Sequence, residues 1–416
     1  MKNLNQIIQF HNCYIMRDGR VIREDLWTKN GKIINPEPLF FDEKNLPDAR
    51  IDCGNILISP GFIDVQLNGG FGIDFSDPNQ NIDKGLKRVA KGILPFGTTS
   101  FCPTLVTSPP EFYHKILKHI QKTPGSTEGA EILGVHAEGP FISTHKKGAH
   151  NLNYIHLFTN AEQTIEEVYG PAWKNITMIT LAPELQNSAE VINYLVKNGV
   201  TVSLGHSMGS LPEGEKAVCS GASLITHLFN AMLPFHHRDP SLIGLLASTK
   251  IPSDRTVYYG IIADGIHTHP AALRIAYRTH PDGIVLVTDA MSALGLEPGH
   301  YSLGSQNVDV TERCAYILGT TTLAGSIVTM DKCVRHFKES AGCSVVQALE
   351  AATLHPARAL GIDKKKGTLN FGADADFVFL DGKLNVLSTW IASECVYHNP
   401  SNNEPSIELV DKAHRK

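Results

Sequence analysis

The stretch Val202–Met232, VSLGHSMGSLPEGEKAVCSGASLITHLFNAM, decides how the chain is read. Two apolar runs, TVSLGHS and SLITHLFNAM, each lead into a histidine, His206 and His227, and the segment between them, Leu211–Ser220, is long enough for a helix. Strand, helix, strand, with a polar residue closing each strand, is how a parallel α/β sheet presents reactive groups along one edge. The two imidazoles would then project from neighbouring strand ends as half of a metal site. Taken alone, such a pair is more often two core histidines that cap their strands. The flanking sequence decides between the two readings.

Outward from this stretch, strands and helices alternate from Ile56 to about Gly361. Eight apolar runs read as strands: ILISPGFIDVQ, TTSFCPTLV, AEILGVHAEGP, ITMITLAPE, VTVSLGHS, LITHLFNAM, VYYGIIADGIH and GIVLVTDAM. Amphipathic segments such as DKGLKRVAKGILPFG, EFYHKILKHIQK, SAEVINYLVKNG and PAALRIAYRTH fill most of the gaps. Eight such units predict a TIM-type (β/α)8 barrel over residues 56–361, with its reactive groups at the C-terminal ends of the strands. The two ends of the chain are β-rich instead. QIIQFHNCYIM, GRVI and LWTKNGKII are separated by Asp-Gly and Asn-Gly turns and read as a small antiparallel module. KGTLNFGADADFVFL and WIASECVYHN supply its partner, so a small β-sandwich built from residues 1–55 and 362–416 is expected beside the barrel.

Composition narrows the class of function. An apolar fraction of 42% supports a sizeable core in 416 residues, and a net charge of −5 without a basic tract argues against a nucleic-acid partner. Lys364-Lys365-Lys366 reads as a solvated turn. No run approaches the ~18 apolar residues a membrane helix requires, and MKNLNQIIQFHN lacks the apolar core of a leader. Eight cysteines without CxxC spacing, among them Cys102, Cys219 and Cys333 in apolar runs, read as reduced core thiols. The expectation is a cytoplasmic protein with no membrane and no nucleic-acid partner.

The residues that close the strands carry the argument further. They are Gln66 and Asn68, Cys102, His136 and Glu138, Glu184, His206, His227, Asp264 and His267, and Asp289. Ionisable and ligand-type groups gathered at one end of a barrel are costly unless they bind something. An aspartate ending the last strand, facing a water activated by a metal, could take that water's proton; as a helix N-cap before MSALG, Asp289 would have a purely structural role.

Nine motifs in order, PGFIDVQLNGG (60–70), HAEGPF (136–141), KKGAH (146–150), LAPE (181–184), LGHS (204–207), THLFNAM (226–232), DGIH (264–267), VTDAM (287–291) and TLAGS (322–326), make the chain resemble the N-acetylglucosamine-6-phosphate deacetylase family, a branch of the amidohydrolase superfamily. The resemblance implies a metal-dependent hydrolase of amino-sugar metabolism that releases acetate from a linear amide. It places the metal ligands on Glu138, His206 and His227 and the catalytic acid–base on Asp289. It also implies sugar and acetyl contacts at Ala149, His150, Asn230, Ala231, Leu323, Ala324 and Gly325, with His150 polarising the acetyl carbonyl. Phosphate recognition falls on Arg238 with His267 of the Asp264-Gly265-Ile266-His267 turn, and the arginine loop reaches across a homodimer interface in relatives. Many superfamily members carry His-x-His on the first strand and a carboxylated lysine on the fourth. Gln66-Leu67-Asn68 and Glu184 stand here instead, so one divalent ion per subunit, zinc first, is expected; Gln66 and Asn68 are left to orient water, or a second ion binds there weakly. His136 keeps a second-ion or supporting role open, and Glu184 either supports a ligand or forms a buried pair at the rim. A cyclic amidase of the dihydroorotase or allantoinase kind, or a catalytically silent barrel, are the alternatives.

Overall fold

The computed structural model describes residues 6–38, 46–401 and 406–409. Eight parallel strands run in order around a barrel: β1 (Phe62–Leu67), β2 (Thr98–Val106), β3 (Val135–Glu138), β4 (Ile176–Leu181), β5 (Thr201–Leu204), β6 (Leu224–Ile225), β7 (Tyr258–Ile262) and β8 (Ile284–Val287). The seam between β8 and β1 is bridged at its C-terminal end, where Asn68 N donates to Ala290 O at 2.8 Å and Asp289 N to Gln66 O at 2.9 Å. The expected α/β barrel is therefore present and nearly closed. Its strands are buried along their length because helices cover them outside and side chains fill them inside. The helix Leu211–Cys219 forms between the two histidine-bearing strands, its start fixed by Glu213 accepting a hydrogen bond from Ser210 N at 2.8 Å.

Several sequence readings change. ILISPGFIDVQ is two strands: Leu57–Pro60 pairs with Phe377–Leu380 and Tyr14–Arg17 in the terminal module, and only Phe62–Leu67 enters the barrel. β2 runs through to Val106, so Cys102 lies mid-strand among Ile63, Val65 and Met178 and does not close the strand. A three-stranded antiparallel sheet, β9 (Gly299–Leu303), β10 (Gln306–Val310) and β11 (Ala315–Ile317), is inserted after β8, where no element was expected. The cysteine reading also divides: Cys102 and Cys333 are buried thiols, whereas Cys219 is exposed.

Both chain ends do build one module. One sheet orders Ser406–Leu409, Ala49–Asp52, Ile7–His11, Leu26–Lys29 and Lys32–Ile33; the other joins Val386–Ile391 and Glu394–His398 to Phe377–Leu380 and the N-terminal strands. The sheets are mixed, because Ile7–His11 pairs parallel with Ala49–Asp52. Phe10 packs edge-on to Phe377 and Trp390, with ring centroids at 5.0 and 5.1 Å. Lys366 is no solvated turn. It is buried among Asp376, Glu131 and Asp374 at 2.5, 2.6 and 3.0 Å, tying the terminal module to the barrel, and those charges hold its ammonium above the usual lysine range against the cost of burial. Among the described residues no helix is long and apolar enough to cross a membrane.

Candidate active site

The C-terminal mouth of the barrel encloses a cavity of about 320 Å³. Three residues meet at its floor. Glu138 is the last residue of β3; His206 and His227 each lie two residues beyond the end of their strand, β5 and β6. Both histidines have left-handed backbone, with φ 48° and 29°, which costs roughly 1–3 kcal/mol each and is tolerated where surrounding structure enforces it. The turn that aims His206 inward needs Gly205, because a Cβ there would lie 2.7 Å from Thr226 Cβ. His206 Nε2 and His227 Nε2 each stand 3.1 Å from Glu138 Oε1 and 3.0 Å from one another.

That arrangement calls for a cation. His206 hydrogen-bonds Lys146 O through Nδ1 at 2.9 Å, a carbonyl that only accepts, so in the neutral ring Nε2 is a bare lone pair. His227 Nε2 lies 3.0 Å from that lone pair and its Nδ1 has no partner among the described residues, so with the Glu138 carboxylate the three offer a donor set for a cation. A tetrahedral ion with bonds of about 2.0–2.1 Å spaces its ligand atoms roughly 3.3 Å apart, close to what is seen. Burial pushes the Glu138 carboxyl up, but the two imidazoles against its Oε1 outweigh it and hold it well below the usual range. The three residues thus fit a single divalent ion.

The residues around them divide the remaining work. Gln66 Nε2 donates to Glu138 Oε1 and to Asp289 Oδ1, both at 3.1 Å, and Asn68 Nδ2 donates to Asp289 Oδ1 at 2.7 Å. The two amides of the first strand are donors to carboxylates. Asn68 Oδ1 is buried with no protein partner among the described residues and remains as an acceptor. Asp289 has φ 48° and precedes a turn, so the N-cap alternative falls away. Burial first, then the Glu138 charge, push its carboxyl up to about 6. His136 is turned to the barrel interior, with Nδ1 3.2 Å from Thr104 Oγ1 and Nε2 2.8 Å from Thr180 Oγ1, which leaves no ring nitrogen for a second ion. Glu184 accepts from Ser207 Oγ and Met208 N, both at 2.6 Å, and so braces the loop that carries His206.

His150 is oriented from behind. Thr107 N donates to its Nδ1 at 3.2 Å and the Thr107 hydroxyl lies 2.7 Å away, so the ring proton sits on Nε2. Burial, then the neighbouring His206, push its pKa down to about 3, which keeps the imidazole neutral. At the opposite rim His267 Nδ1 is held by Asp264 Oδ2 at 2.7 Å, while Asp264 Oδ1 accepts from Ile266 N and His267 N, both at 2.8 Å. Burial raises the Asp264 carboxyl, and the His267 side chain together with the backbone N–H donors of Ile266 and His267 more than reverses it.

Of the residues named from sequence, Glu138, Ala149, His150, His206, His227, Asn230, Ala231, His267, Asp289, Leu323 and Gly325 line the cavity. Asp264, Gly265 and Ile266 shape the turn under His267, and Ala324 is buried beneath the TLAGS turn, which is tied to β8 by Ser326 N donating to Asp289 O at 2.8 Å. Arg238 is exposed on the 233–240 loop and does not reach the cavity of its own chain. Val106, Leu303, Ile262, Thr322, His145 and Lys146 line the cavity without having been singled out. Placing the end of β2 at Val106 instead of Cys102 finds the first of them; apolar side chains on an unanticipated hairpin carry no chemical signature.

Residues 57–404 match the amidohydrolase family model. The N-acetylglucosamine-6-phosphate deacetylase of Danio rerio is 58% identical over 392 residues, covering 94% of this chain and 97% of the relative. A crystal structure of the Pasteurella multocida N-acetylglucosamine-6-phosphate deacetylase superposes with TM-score 0.81 at 31% identity, covering 94% of this chain and all of that one. A variant of the Mycobacterium smegmatis enzyme, solved in complex with N-acetyl-D-glucosamine-6-phosphate, gives TM-score 0.80 at 28% identity over 95% of this chain and all of that one.

Proposed function

The chain belongs to the amidohydrolase family, and we propose that it is a metal-dependent deacetylase that hydrolyses N-acetyl-D-glucosamine 6-phosphate to D-glucosamine 6-phosphate and acetate. The observation that carries this reading is the meeting of Glu138, His206 and His227 beside Asp289 and His150 on one cavity floor, in a chain 58% identical to a curated deacetylase. Two imidazole nitrogens and one carboxylate oxygen suit zinc. A divalent ion held there supplies the Lewis acidity that makes water a nucleophile at neutral pH.

The chain's own groups complete the reaction. Both amides donate to Asp289 Oδ1, which leaves Oδ2 to take the proton of the attacking water, and a pKa of about 6 suits a group that must accept and then return it. Asn68 Oδ1 is free to orient that water. The His150 Nε2–H donates to the acetyl oxygen as it gains negative charge. Asp289 then delivers its proton to the nitrogen, which departs as an amine while the C–N bond breaks. His267, which lines the cavity, is assigned to the phosphate. The cation for that phosphate comes from a partner subunit: Arg238 is exposed on a loop beside Phe235, itself 64% exposed, as expected of a loop that inserts into the other half of a homodimer. A cytoplasmic setting belongs to the same reading.

The cyclic-amidase alternative loses support from the same contacts, because Gln66, Asn68 and Glu184 are occupied as donors and braces instead of forming a two-metal centre. A substrate panel separates the two. The proposal expects hydrolysis of N-acetylglucosamine 6-phosphate and none of dihydroorotate or allantoin; the reverse pattern would overturn it.

A further inference from the structure

The inserted sheet that follows β8 does more than fill the surface. Its first turn, Ser302–Ser305, is clamped by three separate loops: Asp74 Oδ2 accepts from Gly304 N at 2.6 Å, Ser292 Oγ donates to Ser302 O at 2.7 Å, and Asn151 Nδ2 donates to Ser305 Oγ at 2.9 Å. Gly304 sits so close to the barrel that a Cβ would meet Val106 Cγ2 at 2.9 Å. The clamp presses Leu303, 5% exposed, against the cavity beside Val106 and Ala149 as one apolar cluster.

The position of that cluster is informative. Val106 is the register partner of Glu138. Its neighbour Thr107 orients His150, which follows Ala149. The apolar wall therefore flanks both the ligand carboxylate and the oxyanion donor, where the scissile carbonyl must lie. His267, after β7, stands nearly across the ring of strands. We propose that Leu303 and Val106 form the wall that selects the acyl group, with Leu303 setting the longest N-acyl chain admitted. This inference rests on the deacetylase reading and deepens it. A methyl fits against the wall; each added methylene must displace a leucine whose neighbours Ser302, Gly304 and Ser305 are each held by a hydrogen bond.

Rejection of one extra methylene by an apolar pocket spans about 10–200-fold. The test compares kcat/KM for the N-acetyl, N-propionyl and N-butyryl forms of glucosamine 6-phosphate in the wild type, Leu303→Val and Leu303→Ala, each loaded with zinc. The propionyl-to-acetyl ratio should rise about tenfold or more in Leu303→Ala, with Leu303→Val between it and the wild type, and the butyryl ratio should rise further. If Leu303→Ala does not fold, the Val variant alone must shift the ratio the same way. A wild type that releases acetate, with ratios unmoved in a folded variant, overturns the acyl wall alone. A zinc-loaded wild type inert toward all three overturns the deacetylase reading and this proposal with it.

Discussion

Asp289 combines three unfavourable features, a left-handed φ, near-complete burial and a like charge close by, and each is part of its proposed work. Asp289→Asn keeps the shape and the three ligands, so metal content measured on the purified variant should match the wild type while kcat falls by roughly 10²–10⁴; near-normal turnover would remove the role. Below it, Asp64 is wholly buried against Thr288 Oγ1 at 2.5 Å, and burial pushes its carboxyl up to about 7. The unfolded chain's value is about 3.9, so the fold holds this proton more tightly. That stabilisation is whole below about pH 4 and is lost as pH rises through about 7. Asp64→Asn, which can still accept from Thr288 N and Gln66 N and can donate to Thr288 Oγ1, should flatten the fall in melting temperature between about pH 4 and 7; an unchanged slope would contradict this. Residues of this kind were partly legible in the sequence. Glu138, His206, His227 and Asp289 announce themselves as ligand and acid–base types at strand ends, whereas the amide contacts of Gln66 and Asn68 depend on carboxylates 72 and 221 positions away in the chain.

Elements were legible where periodicity is strong and hidden where tertiary contacts decide. The alternation of apolar strands and amphipathic helices revealed the barrel because each unit must bury one face. The same alternation ran together Leu57–Pro60 and Phe62–Leu67, since nothing in an apolar run shows where it passes from one sheet to another. The inserted sheet β9–β11 was missed because its outer face is polar and its apolar positions meet the cavity wall instead of the main core. Lys366 is the sharpest case: three lysines in a row look solvated, yet the third is buried and ion-paired with Glu131 beside β2 and with Asp374 and Asp376 of the terminal module. Its replacement leaves three carboxylates facing one another. Lys366→Met should cost about 3–5 kcal/mol in urea denaturation; a loss within the about 0–1 kcal/mol of a surface pair would show that the module is held otherwise.

At the scale of the molecule, the cavity holds groups for a metal, a water and an acyl carbonyl but lacks the arginine expected at the phosphate. A site completed by a second copy predicts complementation. Arg238→Ala and Asp289→Asn subunits, each inactive or impaired alone, should recover activity when co-expressed, because one site of the mixed dimer has every residue; no recovery would place phosphate recognition within one chain. The residue pattern around Arg238 does not itself point there, since an exposed arginine in a proline-flanked loop looks like any surface charge; the family resemblance supplies the expectation. The central claim is that a metal on Glu138, His206 and His227 drives hydrolysis of a phosphorylated amino sugar. It is tested most directly by measuring acetate released from N-acetylglucosamine 6-phosphate and from unphosphorylated N-acetylglucosamine, before and after chelation and after zinc is restored. Release should favour the phosphorylated sugar, stop with the chelator and return with zinc. Equal release from both sugars, or release that persists without metal, would contradict the account.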